Sequence, residues 1–353
     1  MAYSFNTSVG TISQIRTIAS LLGFISALGM SMLSIKYPCR SLLLSGLILI
    51  ILSALGTALS GSLFLLFIIY PINGLASNMV LPSINTLVGE IYPTENRARI
   101  MGWIGSSGGL SYMIGSIAIV TLASRWGWRS AFILYVGLIP IMALVAVWLF
   151  IEKSDSQSFE VGLLDGFRAI SSDRSAYSIL LASLLIGAAS QSLYFYSFTF
   201  IRESFNLNQY VASYIFSAAS LSFLIGSFIC GYVVEFLDLK KTCILSLLLA
   251  LVATFFYPIS SPFVSIFLIL AGHLFFALQY SATNTLILEQ LPNFRGSMMS
   301  LSASVSYLGY TLGTFIGGTL LIISGWSMFS TVFGFLALPS LIIIYFFVRN
   351  PAN

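Results

Sequence analysis

Residues 85–97 read Asn85-Thr-Leu-Val-Gly-Glu90-Ile-Tyr-Pro93-Thr-Glu-Asn-Arg97, and residues 284–295 read Asn284-Thr-Leu-Ile-Leu-Glu289-Gln-Leu-Pro292-Asn-Phe-Arg295. The Asn-Thr-Leu triplet, the glutamate and the proline recur at an offset of 199; after a one-residue gap the arginine recurs at 198. At that second offset the match runs on. Met101 aligns with Met299, Leu110-Ser111-Tyr112 with Leu308-Gly309-Tyr310, Gly115 with Gly313, and Gly127-Trp128 with Gly325-Trp326. Chance does not readily align so many glycine, proline, tryptophan and arginine positions, so the chain consists of two copies of one unit.

Composition sets the medium in which those copies fold. Of 353 residues, 58% are hydrophobic and only 7% charged, and the mean hydropathy is +0.98. A soluble domain carries roughly 25% charged residues, which excludes a soluble enzyme. Apolar runs predict eleven spanning helices, at 12–34, 41–60, 63–88, 100–123, 131–151, 177–201, 209–234, 242–260, 263–288, 297–323 and 327–348. Each is near the ~20 residues that a bilayer requires, and irregular backbone cannot face lipid. The expected fold class is therefore all-α and polytopic. The long polar break at 152–176 divides the chain into an N-terminal bundle of five spans (1–151), a cytoplasmic linker, and a C-terminal bundle of six spans (177–353).

Basic residues set the expected orientation. With the loop at 35–40 in the cytoplasm, eleven lysines and arginines fall inside and four outside (Arg16, Arg125, Arg129 and Arg202). The N-terminus as written is then outside and the C-terminus cytoplasmic, in a multi-pass protein of the plasma membrane. Cys39, Cys230 and Cys243 have no metal-ligand spacing, and Cys39 and Cys243 flank inner loops, where thiols stay reduced. The net charge of +4 is scattered in single residues, so no nucleic-acid partner is expected. No cofactor or metal is called for, and the protein is expected to be a monomer in the lipid bilayer.

Both copies have the same orientation, as in transporters with parallel repeats, and the chain resembles the major facilitator superfamily over essentially its whole length. That family's loop after its second helix reads G-x-x-x-D-R-x-G-R-K. Gly231-Tyr-Val-Val-Glu235-Phe-Leu-Asp238-Leu-Lys240-Lys241 keeps the glycine, an acid and the basic end, whereas the first copy has Ser31, Ile35 and Pro38 at three motif positions and retains Lys36 and Arg40. The stretches Glu90–Arg97 and Glu289–Gly296 look like the family's acid–proline–arginine elements. The resemblance implies two bundles of six helices around an alternately opened cavity. The loop motif begins about 54 residues after residue 177 in the second half but near residue 31 in the first, so one helix is expected to be missing ahead of Met1. That fits either a truncated reading of a twelve-helix protein or a true eleven-helix variant.

Candidate functional residues follow. All eleven Asp and Glu lie at helix ends or in loops, so no acidic proton relay is visible at depth. The arginine that often precedes a glycine by four residues in the family's fourth helix is Tyr70 here, before Gly74, which weakens proton coupling of the usual kind. His273, the only histidine, reads either as a neutral residue bonded to a neighbouring helix or as a group that binds substrate or exchanges a proton. Gln191, Tyr194 and Phe198 share one face at helical spacing, and resemblance places their helix beside the cavity. They are substrate-binding candidates together with His273, Gln279 and Tyr280; a lipid-facing aromatic belt is the competing reading of that face. Asn73, Asn78, Asn85, Gln191, Gln279 and Asn284 also read as interhelical glue.

Glu90, Arg97, Glu235, Lys240, Lys241, Glu289 and Arg295 are expected to form inner-face ion pairs that gate access. Ser107, Ser111 and Gly115, and their counterparts Gly309, Gly313 and Gly317, form ladders at spacing four that let helices approach closely. Arg16, near the outer interface, is expected to snorkel. Gly115-Ser116 stands where the family's antiporters carry Gly-Pro. Gly105-Ser-Ser-Gly-Gly109 satisfies G-x-S-x-G but lies inside a spanning helix, not on a strand-to-helix turn, and no phosphate-binding loop is present. The leading expectation is a non-enzymatic secondary transporter of a small organic solute, sugar-like or an organic ion, working by alternating access with or without a coupling ion. The alternative is a transport-inactive scaffold or sensor of the same fold.

Overall fold

The computed structural model describes the backbone of residues 2–91, 94–151, 163–291 and 295–350. The described residues of the first half form α1 (Val9–Lys36), α2 (Cys39–Leu59), α3 (Leu63–Ile69), α4 (Ile72–Ile91), α5 (Thr94–Trp126), α6 (Trp128–Ala131) and α7 (Leu138–Phe150). A short helix, α8 (Leu163–Ser172), follows. The second half comprises α9 (Arg174–Gln191), α10 (Ser197–Ser204), α11 (Gln209–Leu237), α12 (Leu239–Phe256), α13 (Pro262–Gln290), α14 (Arg295–Ile323), α15 (Gly325–Leu336) and α16 (Leu338–Phe347). Eleven segments among the described residues are long and apolar enough to cross a membrane, the number expected from the apolar runs.

Two compact units emerge, one of residues 1–7 and 15–160 and the other of residues 8–14 and 161–353. The polar break at 152–176 lies only partly within the described residues. Its later part holds α8 and the first turn of α9, which begins three residues before the expected start because Asp173 caps it. The Asp173 carboxylate accepts from the Ser175 and Ala176 amides, both at 3.0 Å, satisfying orphan donors of the first turn.

In the first unit, small residues set the helix approach. A Cβ on Gly74 would lie 1.7 Å from the Ala19 carbonyl oxygen, so α1 and α4 meet backbone to backbone. Pro82 stands inside α4 and removes one donor from its ladder. Asn78 Nδ2 donates to Gly74 O (3.2 Å), a bond within its own helix where interhelical glue was expected. In the segment Trp128–Phe150 only 6% of the most apolar stretch is buried, against 72% for Arg174–Ser204. The first lies at the margin of its unit and the second is the spine of its bundle.

The second unit has a continuous core around that spine. Tyr196, Phe200, Tyr257, Phe329 and Phe333 are buried and packed ring on ring. Each buried tyrosine hydroxyl finds an acceptor, as burial requires: Tyr196 OH donates to Thr314 O at 2.7 Å and Tyr257 OH to Ser192 O at 3.0 Å. Between α9 and α10 the chain makes a π-helical turn, Ser192–Tyr196. A second one, Phe132–Gly137, lies between α6 and α7.

Candidate functional site

α9 and α14 come together through glycine. A Cβ on Gly309 would fall 2.4 Å from Leu184 O, one on Gly313 2.3 Å from Ala188 O, and one on Gly317 2.4 Å from the Tyr196 ring. One face of the α14 ladder therefore lies directly against α9. In the first-half ladder, Gly115 faces the Tyr135 hydroxyl, Ser111 O accepts from that hydroxyl at 3.5 Å, and Ser107 Oγ donates within its own helix to Ile104 O.

Beside the α9–α14 contact, α13 completes a small cleft of about 40 Å³. α9 contributes Ser183, Ile186, Gly187 and Ser190, with Tyr194 from the π turn that follows; α13 contributes Phe276, Gln279, Tyr280, Thr283, Asn284 and Ile287; α14 contributes Ser302, Ser306 and Tyr310. Three of the six substrate-binding candidates, Tyr194, Gln279 and Tyr280, are thus brought to one place. His273 stands one ring behind the wall. Its ring meets Tyr194 edge to face at 5.5 Å and Phe216 at 6.0 Å, and Nδ1 lies 2.8 Å from Ile269 O. Nδ1 therefore carries a proton, and Nε2 is buried with no hydrogen-bond partner among the described residues.

Gln191 and Phe198 do not line this cleft. The π turn explains the separation. It lies between the two residues and shifts the register that spacing alone predicts, so Gln191 is buried in the bundle while Phe198 packs on Phe216 at 6.1 Å. Gln279 Nε2 donates to Thr283 Oγ1 (2.7 Å), which lies 2.9 Å from Cys243 Sγ. Tyr280 is half exposed, its ring 6.5 Å from Phe223. The serines, Thr283, Phe276 and Tyr310 were not singled out from sequence. Serine gives no signal there, because on a spanning helix it equally often bonds its own backbone. Tyr310 did recur in the repeat, as the partner of Tyr112.

At the ends of the helices, the side chains of Glu90, Arg97 and Arg295 lie outside the described residues. Glu289 is partly buried near the end of α13, and Glu235 is exposed on α11. Lys241 Nζ pairs with Asp238 at 3.0 Å, and no ion pair joins it to Glu235 among the described residues. Lys240 Nζ donates to Tyr345 O (2.8 Å) and Val348 O (2.7 Å) at the end of α16. An ion pair that sequence did not single out joins Arg349 to Asp173. Arg16 is partly buried in α1. No group of three or more histidine, cysteine, aspartate or glutamate side chains suited to a metal occurs among the described residues.

Eleven segments among the described residues, apolar enough to cross a membrane and shared between two compact units, define a polytopic membrane protein. The family model described as Major Facilitator Superfamily matches residues 1–275 and, in a second overlapping match, 199–353. The chain belongs to the major facilitator superfamily of membrane transporters. Among curated proteins it is 30% identical over 165 residues to the quinolone resistance protein NorB of Staphylococcus aureus (strain bovine RF122 / ET3-1), covering 45% of this chain and 34% of that protein. The NorB of strain JH9 matches at the same identity and coverage. The match thus spans about a third of those relatives' length. Among solved structures, a point mutant of the nucleoside transporter NupG aligns with a TM-score of 0.80 at 15% identity, covering 99% of this chain and 93% of that one. A D-xylose-proton symporter aligns at 0.80 and 14%, covering 97% and 88%. At such identities the likeness is one of fold.

Proposed function

We propose that the chain carries a small organic solute, sugar-like or an organic ion, across the plasma membrane by alternating access, and that the α9–α13–α14 cleft is part of its solute site. The observation that carries the reading is the convergence of Tyr194, Gln279 and Tyr280 with Asn284 and Tyr310 around one cleft in a spanning bundle. Apolar walls with a few placed polar groups are how small-molecule sites orient their ligands. The basic-residue bias supports a cytoplasmic C-terminus, and the protein is taken as a monomer. Glu235 and Glu289, with Glu90, Arg97, Arg295, Lys240 and Lys241, remain the proposed inner gate.

The test is flux into proteoliposomes holding the purified chain, with xylose, a nucleoside and a quinolone as labelled solutes. The quinolone is included because of the name of the Staphylococcus relatives, and because Tyr194, Phe276, Tyr280 and Tyr310 give the cleft aromatic walls. Saturable uptake of at least one solute is expected, reduced at least about tenfold by Tyr194→Ala in protein that still elutes as a single species. Saturable binding without flux identifies the transport-inactive alternative, and flux indifferent to Tyr194→Ala removes the cleft from the solute path.

A further inference from the structure

The polar groups of the cleft differ in what they still offer. Ser183 Oγ donates to Ile179 O and Ser190 Oγ to Gly187 O, each at 2.8 Å. A hydroxyl has one hydrogen, so both serines have committed theirs to their own helix and retain only lone pairs. Gln279 has given one amide hydrogen to Thr283 at 2.7 Å and keeps its second amide hydrogen and its carbonyl oxygen. Asn284 has no hydrogen bond among the described residues and offers both a donor and an acceptor. The lining therefore offers both kinds of group: acceptors at Ser183, Ser190 and the Gln279 carbonyl, and donors at Asn284, the second Gln279 amide hydrogen and the Tyr280, Ser302 and Ser306 hydroxyls.

It is also without charge. No Asp, Glu, Lys, Arg or His belongs to the lining among the described residues, so an ion entering it would shed water and find no counter-charge there, a costly exchange at membrane depth. The rings of Tyr194, Phe276, Tyr280 and Tyr310 supply flat apolar faces. Such faces also attract cations. A cation, however, meets no counter-charge in this lining, whereas the edge of a neutral amide or lactam offers the Asn284 amide both a donor and an acceptor at no such cost. The volume of about 40 Å³ is on the scale of a few waters, so in this conformation the cleft grips one moiety and not a whole solute.

We propose that the cleft selects an uncharged, flat solute moiety carrying an N–H donor and an acceptor on one edge, as an amide or lactam does. This rests on the reading of the cleft as the solute site. It narrows the sugar-like or ionic range to the neutral side.

Matched probes separate the terms. Nicotinamide and uracil are flat, neutral and donor-bearing; N,N-diethylnicotinamide and 1,3-dimethyluracil are flat and neutral without donors; nicotinate and 1-methylnicotinamide are an anion and a cation of the same size. Equilibrium binding of each is measured on the full chain in lipid nanodiscs. Nicotinamide and uracil are expected to bind at least about tenfold more tightly than either other set, against the donor-free probes through one to two net hydrogen bonds and against the charged probes through the uncompensated loss of their hydration. Donor-free probes binding equally well, a charged probe binding best, or neither donor-bearing probe binding at all would each overturn the proposal.

Gln279→Glu and Ser190→Ala locate the effect. Gln279→Glu keeps the shape and adds a negative charge, and is expected to raise affinity for 1-methylnicotinamide at least tenfold while weakening nicotinate. Elution profile and melting temperature check folding of each variant. If a charged probe binds wild type best and Gln279→Glu shifts that affinity, the solute class is wrong and the cleft reading stands. If donor-bearing probes bind best and neither variant changes any affinity, the cleft reading itself fails.

Discussion

Asp238 joins α11 to α12 with φ of +61° and ψ of 165°, a backbone region outside the left-handed helical well that residues other than glycine rarely adopt. Its carboxylate accepts from the Lys241 amide at 2.8 Å and pairs with the Lys241 ammonium at 3.0 Å. Partial desolvation by itself raises this carboxyl's pKa. The hydrogen bonds from Lys241, its positive charge and the Lys240 amide outweigh that and hold the pKa below the ordinary aspartate value. A lowered folded-state pKa contributes stability that is present above the unfolded value of about 3.9 and lost as pH falls through the folded one. Thermal unfolding in detergent from pH 7 to pH 3 should therefore show a fall near the acid end that Asp238→Asn flattens. Asp238→Ala, which loses the cap, should cost about 1 kcal/mol already at pH 7; identical acid profiles for wild type and Asp238→Asn would refute the linkage. Sequence displayed two acids in this loop, Glu235 and Asp238, and the family motif drew the reading toward Glu235. Only the i,i+3 spacing to Lys241 marks Asp238 as the cap. His273 gives a second residue-scale prediction. A buried acceptor without a partner costs about 1–3 kcal/mol, so His273→Phe, which keeps the ring contacts with Tyr194 and Phe216, should melt at or above the wild-type temperature. A clear drop would mean that Nε2 is bonded. Normal melting with lost flux would make the imidazole functional.

The eleven spanning segments were legible in the sequence because lipid permits one solution for a long apolar run: a helix that satisfies its own backbone. Their registers were less so. The π turn at Ser192–Tyr196 has no composition signal, and it separates Gln191 from the face that spacing gave it with Tyr194 and Phe198. Glycine spacing in α14 signalled a close contact, but the partner depends on packing, and the structure names it as α9. Two glycines make the element-scale test. A Cβ at Gly313 would meet the Ala188 carbonyl oxygen at 2.3 Å, whereas one at Gly231 meets nothing within 4 Å. Backbone cannot step aside as a flexible side chain does, so Gly313→Ala must part α9 from α14. It should destabilise by about 1–3 kcal/mol, the usual cost of overpacking. Gly231→Ala, in the interior of α11, should stabilise by about 0.5–1 kcal/mol. Melting temperatures of the two variants in one detergent decide the matter, and equal shifts would mean that the α9–α14 approach is looser than the geometry has it.

In the second unit as a whole, charge gathers at one end of the bundle. Arg349 pairs with Asp173 at the start of α9, and its amide donates to Ser175 Oγ at 2.7 Å. Gln290 at the end of α13 bonds Ser175, and its Nε2 donates to Arg349 O at 3.2 Å. Lys240 ties the start of α12 to the end of α16. The basic residues of this clasp were legible as a sidedness signal, but their partners were not: Arg349 and Asp173 stand 176 positions apart, and nothing local links them. If basic residues mark the cytoplasmic side, this end faces inward, and the opposite end, with Ser261 between α12 and α13, faces out. Cys39, Cys230 and Cys243 are all buried, so the folded protein offers a low background for a membrane-impermeant maleimide. Lys241→Cys should then label in inside-out vesicles and stay unlabelled in right-side-out ones, and Ser261→Cys should do the reverse. Lys241 is 76% exposed and Ser261 is exposed at its loop, so silence at both sites cannot be laid to burial. The reversed pattern would place the C-terminus outside and overturn the orientation drawn from the basic residues, while leaving the helices and the cleft as they are.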